Sequence, residues 1–407
     1  MRSVAWPEPP VVLRAVGALS AAGAGPAALL AAALAAAPLG RPVRRYDVAR
    51  LRTRTAALLP EDLLASVCAR WSGLDPAVAL SLEVIDQALG GEPPPREALL
   101  VVGTSLGCTT SWEPWHRALV GGEAPPVAPR GAGHGDVAWQ VAERLGLCGP
   151  ALTVSTACTS STQALLLAAD RIAQGEVEEA LVVGVDVLGT FVHGGFDALK
   201  ALAPDGRPPT PFGPERAGLW LGEGAACAWL RRQGPGLAAL LGGACAGDGH
   251  HITAPEPSGR GLAQAIRGAL GRSGCEAVQI GWISAHGTGT LANDAMEASA
   301  FRQVFGERIP PVHALKPVIG HTLGASGLLE VVFLCEAMRA GVRPPSFSVA
   351  VDPALAPLLL DATVAPLPEG PVLTVNSAFA GHNTALVLAD LPRVTGRSWR
   401  RSRCTSR

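Results

Sequence analysis

Among the nine cysteines of the 407-residue chain, Cys158 has the setting of a nucleophile. It follows ALTVST, an apolar run that reads as a buried strand, and precedes SSTQALLLAADRI, which has helical periodicity. Its sulfur is therefore expected at the N-terminal end of a helix, where the macrodipole and free N–H groups favour an anion and lower a thiol pKa. Thr156, Thr159, Ser160 and Ser161 supply hydroxyls for capping nearby. A buried structural cysteine at a strand–helix junction would leave the same local pattern, and the local residues do not choose between the two. A nucleophile also needs basic or electrophilic partners. His286 in SAHGTGT and His321 in KPVIGHTLGASG both lie among small residues, which let a backbone or a ligand approach closely. His250 and His251 read as a loop pair, and His116, His134, His193 and His313 have no comparable setting.

The elements that must position these residues alternate. Apolar runs at 98–103, 151–155, 180–185, 280–285 and 372–376 read as buried strands of a parallel or mixed sheet. Helical patterns cover 63–89, 158–174, 261–271, 294–305 and 324–340. Alternation of this kind predicts an α/β protein, and sites in such proteins lie beyond the carboxyl ends of strands. The segment RRQGPG at 231–236 reads as a joint between two halves, 1–235 and 236–392, with 393–407 as a basic, disordered tail carrying six arginines. Each half holds a strand that ends in a reactive-looking turn, LTVSTACTSS in the first and WISAHGTGT in the second. That is a weak sign of an internal repeat.

Bulk composition excludes several functions. A net charge of -1 does not suit a nucleic-acid binder. The cysteines have no C-x-x-C pair and no zinc spacing, so no metal is expected and a reducing cytoplasm fits best. Residues 15–40 carry no charge, which raises the question of a membrane span. The run is mostly Ala, broken by Gly17, Gly23, Gly25 and Pro26, and Ala is nearly neutral in lipid transfer. It reads as a strand at 11–18, a Gly-rich turn and a helix at 26–37 opened by Pro26, with no membrane contact.

Five patches in order, over about 95–390, then resemble the β-ketoacyl synthase family, the condensing enzymes of fatty-acid and polyketide synthesis. They are STACTSS around Cys158, PFGPERAGLWLGEGA at 211–225, SAHGTGTLANDAMEA at 284–298, LKPVIGHTLGASGLLE at 315–330 and NSAFAGHN at 376–383. The resemblance implies a thiolase-like fold, layered α-β-α-β-α, of two similar halves. It implies an acyl thioester on Cys158 and a malonyl thioester held by His286 and His321. Lys316 and Glu330 would form a polar pair near His321. The N–H groups of Cys158 and Phe379 would make the oxyanion hole, with Phe379 also acting as a gate. Thr288 and Thr290 would contact a phosphopantetheine arm, and Phe196 would lie near the acyl pocket. The arm would arrive on an acyl carrier protein, with no other cofactor, and the chain would pair with itself or with a paralogous subunit.

Two histidines resemble the elongating synthases, and the retained Cys158 argues against a chain-length factor, the non-extending partner subunit that stands as the alternative. An unrelated cysteine hydrolase is a further alternative, but it finds no Asn or Asp orienting motif. The chain also departs from the pattern. Gly213 replaces an acid, Ala378 and Ala380 replace glycines in the terminal loop, and the stretch 111–136 is short. These departures suggest a specialised synthase of secondary metabolism.

Overall fold

The computed structural model of the protein describes residues 10–124, 133–348 and 350–391. The tail expected at 393–407 lies outside the described residues. Ten strands carry the architecture. In chain order they are β1 (Val11–Ser20), β2 (Leu99–Gly103), β3 (Ala151–Val154), β4 (Glu179–Asp186) and β5 (Gly224–Arg231), then β6 (Ala238–Gly247), β7 (Trp282–Ser284), β8 (Val312–His313), β9 (Val372–Ser377) and β10 (His382–Asp390). The first five lie in the order β3-β2-β4-β5-β1, and the last five in the order β8-β7-β9-β10-β6. The two sets have the same parallel and antiparallel pairings. They join where β1 pairs with β6 over Val11–Leu13.

Six helices complete the layers: α1 (Pro76–Leu89), α2 (His134–Leu145), α3 (Ser160–Ala173), α4 (Arg260–Ser273), α5 (Leu291–Phe305) and α6 (Ser326–Ala340). α1 and α2 cover the outer face of the first half, and α4 and α5 cover the outer face of the second. α3 and α6 pack against each other between the halves, in the largest apolar core. Every buried position on α6 from Ser326 to Met338 is enclosed all round, as a helix sandwiched by two sheet faces must be. The result is the expected α-β-α-β-α stack.

The repeat is real, but its counterparts differ from those the turns suggested. The Cys158 strand β3 corresponds to β8, which leads to His321, while the His286 strand β7 corresponds to β2. Similar turn composition pointed to the wrong pair, because small residues recur wherever a strand end faces the site. The expected helix at 63–89 is two helices, Glu61–Arg70 and α1. Gly73, with φ +81°, and Pro76 break it, and Asp75 caps α1 by accepting from the Ala77 N–H at 2.8 Å. Residues 15–40 form the end of β1, a turn and the helix Pro26–Ala35. No helix among the described residues is long and apolar enough to cross a membrane.

Candidate active site

β3 delivers Cys158 to the centre of the molecule through a tight turn in which Ala157 has φ +51°. The turn is pinned by Ser160 Oγ, which donates to the Ala157 carbonyl at 2.6 Å. Cys158 is 6% exposed. On the other half, β8 leads through the short helix Lys316–Ile319 to His321, whose backbone pairs with Trp220 and Gly222. These two chain paths bring His321 Nε2 to 3.0 Å from Cys158 Sγ. His286, at the end of β7, stands edge-on to His321 with ring centroids 5.2 Å apart. Lys316 Nζ and Glu330 Oε1 form a buried ion pair of 2.6 Å behind them.

A cavity of about 380 Å³ is lined by Cys158, His286, His321, Thr288, Thr290, Phe196 and Phe379. The rings of Phe196 and Phe379 stack at 5.6 Å across it. Thr288 and Thr290, also in the lining, share a hydroxyl–hydroxyl contact of 3.0 Å. All the residues singled out from the sequence therefore meet here, with Lys316 and Glu330 one layer behind.

Electrostatics correct one expectation. The helix end does not leave the thiol acidic. Burial pushes Cys158 up to about 12, Lys316 pulls it part of the way back, and Asp186 adds to the rise. Burial, then Lys316, holds His321 well below the usual imidazole range, and His286 is lowered by the same causes together with His321. The resting pair is thus a neutral thiol and a neutral imidazole. Neutral imidazole has one N–H and one lone pair, so the partner of Nδ1 decides what Nε2 can do. That partner is Ser326 Oγ, 2.9 Å away and itself 3.1 Å from Thr322 Oγ1. A hydroxyl can donate or accept, which lets Nε2 receive the thiol proton in one tautomer and donate in the other.

Ser326 was not singled out from the sequence, although a Ser five residues after a strand-end His at a helix start was a usable signal. Glu297 and Asp294 were also missed. Glu297 accepts from the N–H groups of His286 and Gly287 at 2.7 and 2.8 Å, and Asp294 accepts from those of Gly289 and Phe212 at 3.2 and 2.7 Å. Both carboxyls are fully buried, and burial pushes them up, Asp294 to about 6 and Glu297 to about 8. Where Gly213 replaces an acid, Arg216 finds its carboxylate elsewhere, at Asp352 Oδ2, 2.6 Å away.

The chain and the two-halved fold that bring this Cys–His pair and second histidine into one cavity are matched by known proteins. The β-ketoacyl synthase N-terminal domain model matches residues 66–234, and the C-terminal domain model matches 237–350. The chain belongs to the β-ketoacyl synthase family. Its curated relatives include a "Putative polyketide beta-ketoacyl synthase 1" of Streptomyces virginiae, 32% identical over 392 residues, covering 87% of this chain and 91% of the relative. The tetracenomycin polyketide synthase ketoacyl synthase alpha subunit of Streptomyces glaucescens is 30% identical, covering 94% and 97%. Among solved structures, "The ishigamide ketosynthase/chain length factor" superposes with a TM-score of 0.86 at 30% identity, covering 94% and 99%. The synthase is an acyltransferase with the thiolase-like ketosynthase fold.

Proposed function

We propose that the synthase extends an acyl chain on Cys158 by condensation with a malonyl thioester, both substrates arriving on the phosphopantetheine arm of an acyl carrier protein. The observation that carries this reading is the 3.0 Å approach of His321 Nε2 to Cys158 Sγ, with His286 beside them in one cavity.

In the first half-reaction the Cys158 thiol gives its proton to His321 Nε2 as sulfur attacks the acyl thioester. The oxyanion takes the N–H groups of Cys158 and Phe379, and the carrier thiol leaves with the proton. In the second, His286 and His321 donate to the malonyl thioester carbonyl. Carbon dioxide departs, the enolate carbon attacks the Cys158 thioester, and the Cys158 thiolate is released and takes one proton from water entering as the product leaves. Donors fixed where charge develops are worth several kcal/mol in a dry site. Burial, then the charge of Lys316, keeps both imidazoles neutral, and a neutral ring can donate one N–H to that oxygen. Thr288 and Thr290 hold the arm, and Lys200, an exposed residue of the lining, supplies a charge to meet its phosphodiester. Phe379 gates the cavity from a loop in which Ala380 takes φ +63°, a conformation a glycine would adopt at less cost.

The relatives named as polyketide synthases support a role in polyketide-like secondary metabolism. One solved neighbour, at 29% identity and a TM-score of 0.79, is a ketosynthase in complex with its chain length factor from Xenorhabdus doucetiae. Pairing of this chain with a second ketosynthase-type chain belongs to the same reading. Intact-mass analysis after incubation with a panel of acyl carriers tests it. An acyl adduct is expected on the wild type and not on Cys158→Ala, and His286→Ala and His321→Ala should keep some adduct while losing condensation by about 10²–10³-fold. Absence of any adduct, or full condensation in either histidine variant, overturns the assignment.

A further inference from the structure

The strand register makes Asp186 and Asn376 counterparts. The parallel pair β2–β4 ends at Gly103 opposite Gly184, and the parallel pair β7–β9 ends at Ser284 opposite Thr374. Two residues further along β4 and β9 stand Asp186 and Asn376, both fully buried. Neither lines the cavity. Each reaches into the opposite half.

Asp186, in the first half, accepts from the Gly324 N–H of the second at 2.6 Å. Gly324 lies three residues after His321 and two before α6. The same carboxylate accepts from Thr104 Oγ1 at 2.7 Å, from the Leu106 N–H at 2.8 Å and from the Ser105 N–H at 3.0 Å. It thereby ties the His321 loop to the end of β2. Asn376, in the second half, accepts from Thr162 Oγ1 of the first at 2.6 Å, in the opening turn of the helix that follows Cys158. Its Nδ2 donates to Glu330 Oε2 at 2.7 Å. Between the two, the Leu328 N–H of α6 donates to Ser161 Oγ of α3 at 3.0 Å. The helix that opens after Cys158 and the helix that opens after His321 are bonded to each other at their N-terminal ends.

The fit leaves no slack. A methyl on Gly327 would overlap Thr162 Oγ1 and lie 2.7 Å from Asn376 Oδ1. One on Gly324 would lie 2.7 Å from the Ser105 nitrogen, and one on Gly184 would lie 2.7 Å from Ser161 Cβ. The residue types follow from the partners. Four donors surround Asp186, which suits a carboxylate that only accepts. Asn376 faces a donor on one side and a carboxylate on the other, which suits an amide that does both.

We propose that Asp186 and Asn376 are a reciprocal pair of positioning residues that set the separation of Cys158 and His321 across the two halves. Cys158 and His321 arrive from different halves, so no single element fixes their distance. The two clamps close the loop between them. An error of about 1 Å in such a distance costs about 100-fold in rate.

The proposal rests on the condensing reading above, and its test separates the two. Asp186→Asn turns an amide N–H₂ toward the donors that the carboxylate accepted from. Thr162→Val removes one hydroxyl with little change of shape. In each, the rate of acyl loading, which needs proton transfer across that separation, and the condensation kcat should both fall by about 10- to 100-fold, with KM for the malonyl carrier changed less than about threefold. Crystal structures of both variants should show the sulfur-to-imidazole separation longer by about 0.5 Å or more. Rates that fall only in proportion to the folded fraction, or an unchanged separation, overturn the clamp. If Asp186→Asn fails to fold, Thr162→Val carries the test. A wild type that neither loads nor condenses defeats the proposed function instead, and the separation measured in the variants still decides the clamp.

Discussion

At Cys158 the helix end and the burial act in opposite directions on one sulfur. The helix end favours a thiolate, but the cost of stripping water from an anion in a 6% exposed site is larger. Burial therefore raises the thiol to about 12, and the proposed attack calls for proton transfer to His321 rather than a standing thiolate. The sign is testable. A raised pKa means the neutral form dominates at pH 7, so alkylation of Cys158 by iodoacetamide should climb about tenfold per pH unit from pH 7 to 9. A rate already level at pH 7 would indicate a thiolate–imidazolium pair. Cys158, His286 and His321 were singled out together and not one by one: the local pattern at Cys158 suited a structural cysteine equally well, and the two histidine turns and the family motifs supplied its partners. The depth of burial was not legible. It comes from residues of both halves closing over the thiol, which no local window contains.

At the scale of elements, the loop 286–290 is held by the helix that follows it. Glu297, two turns into α5, accepts from the N–H groups of His286 and Gly287, and Asn293 Nδ2 bonds the same carboxyl at 2.8 Å. The helix thus aims the imidazole by gripping the backbone on either side of its Cα. Glu297→Ala would leave two buried N–H groups unpartnered, each costing about 1–3 kcal/mol. Urea unfolding should show a loss of about 3 kcal/mol, and condensation should fall more than acyl loading. A variant as stable as the wild type would show that the loop keeps its shape without this carboxyl. The sequence pattern places α5 well and shows ANDAMEA as part of a motif. It does not show that two of its acids turn inward, because acids on a helix ordinarily face water.

At the scale of the molecule, two five-stranded halves meet through β1 and β6, and the site lies on the seam between the central helices. The alternation of strands and helices made the α/β class legible, and the joint near 231–236 falls in the turn between β5 and β6. The pairing of halves was not legible, since β7 and β8 are only three and two residues long and carry almost no pattern. The same topology leaves β3 as an open edge at one end of the sheet, with Ala151 and Leu152 exposed. A long sheet with an exposed edge strand is a template for another strand. The direction of its free groups can be read. The Leu100 N–H donates to the Pro150 carbonyl and the Thr104 N–H to the Val154 carbonyl, so residues 150, 152 and 154 face β2. Ala151 and Thr153 therefore turn their N–H groups toward the open side. Pairing with a second ketosynthase-type chain through this edge predicts a specific failure. Ala151→Pro removes one outward N–H and leaves the ladder to β2 intact, so sedimentation should shift from dimer toward monomer with little change in thermal stability. Leu152→Pro breaks the β2 ladder instead and should lower stability. A dimer that survives Ala151→Pro would place the partner on another face.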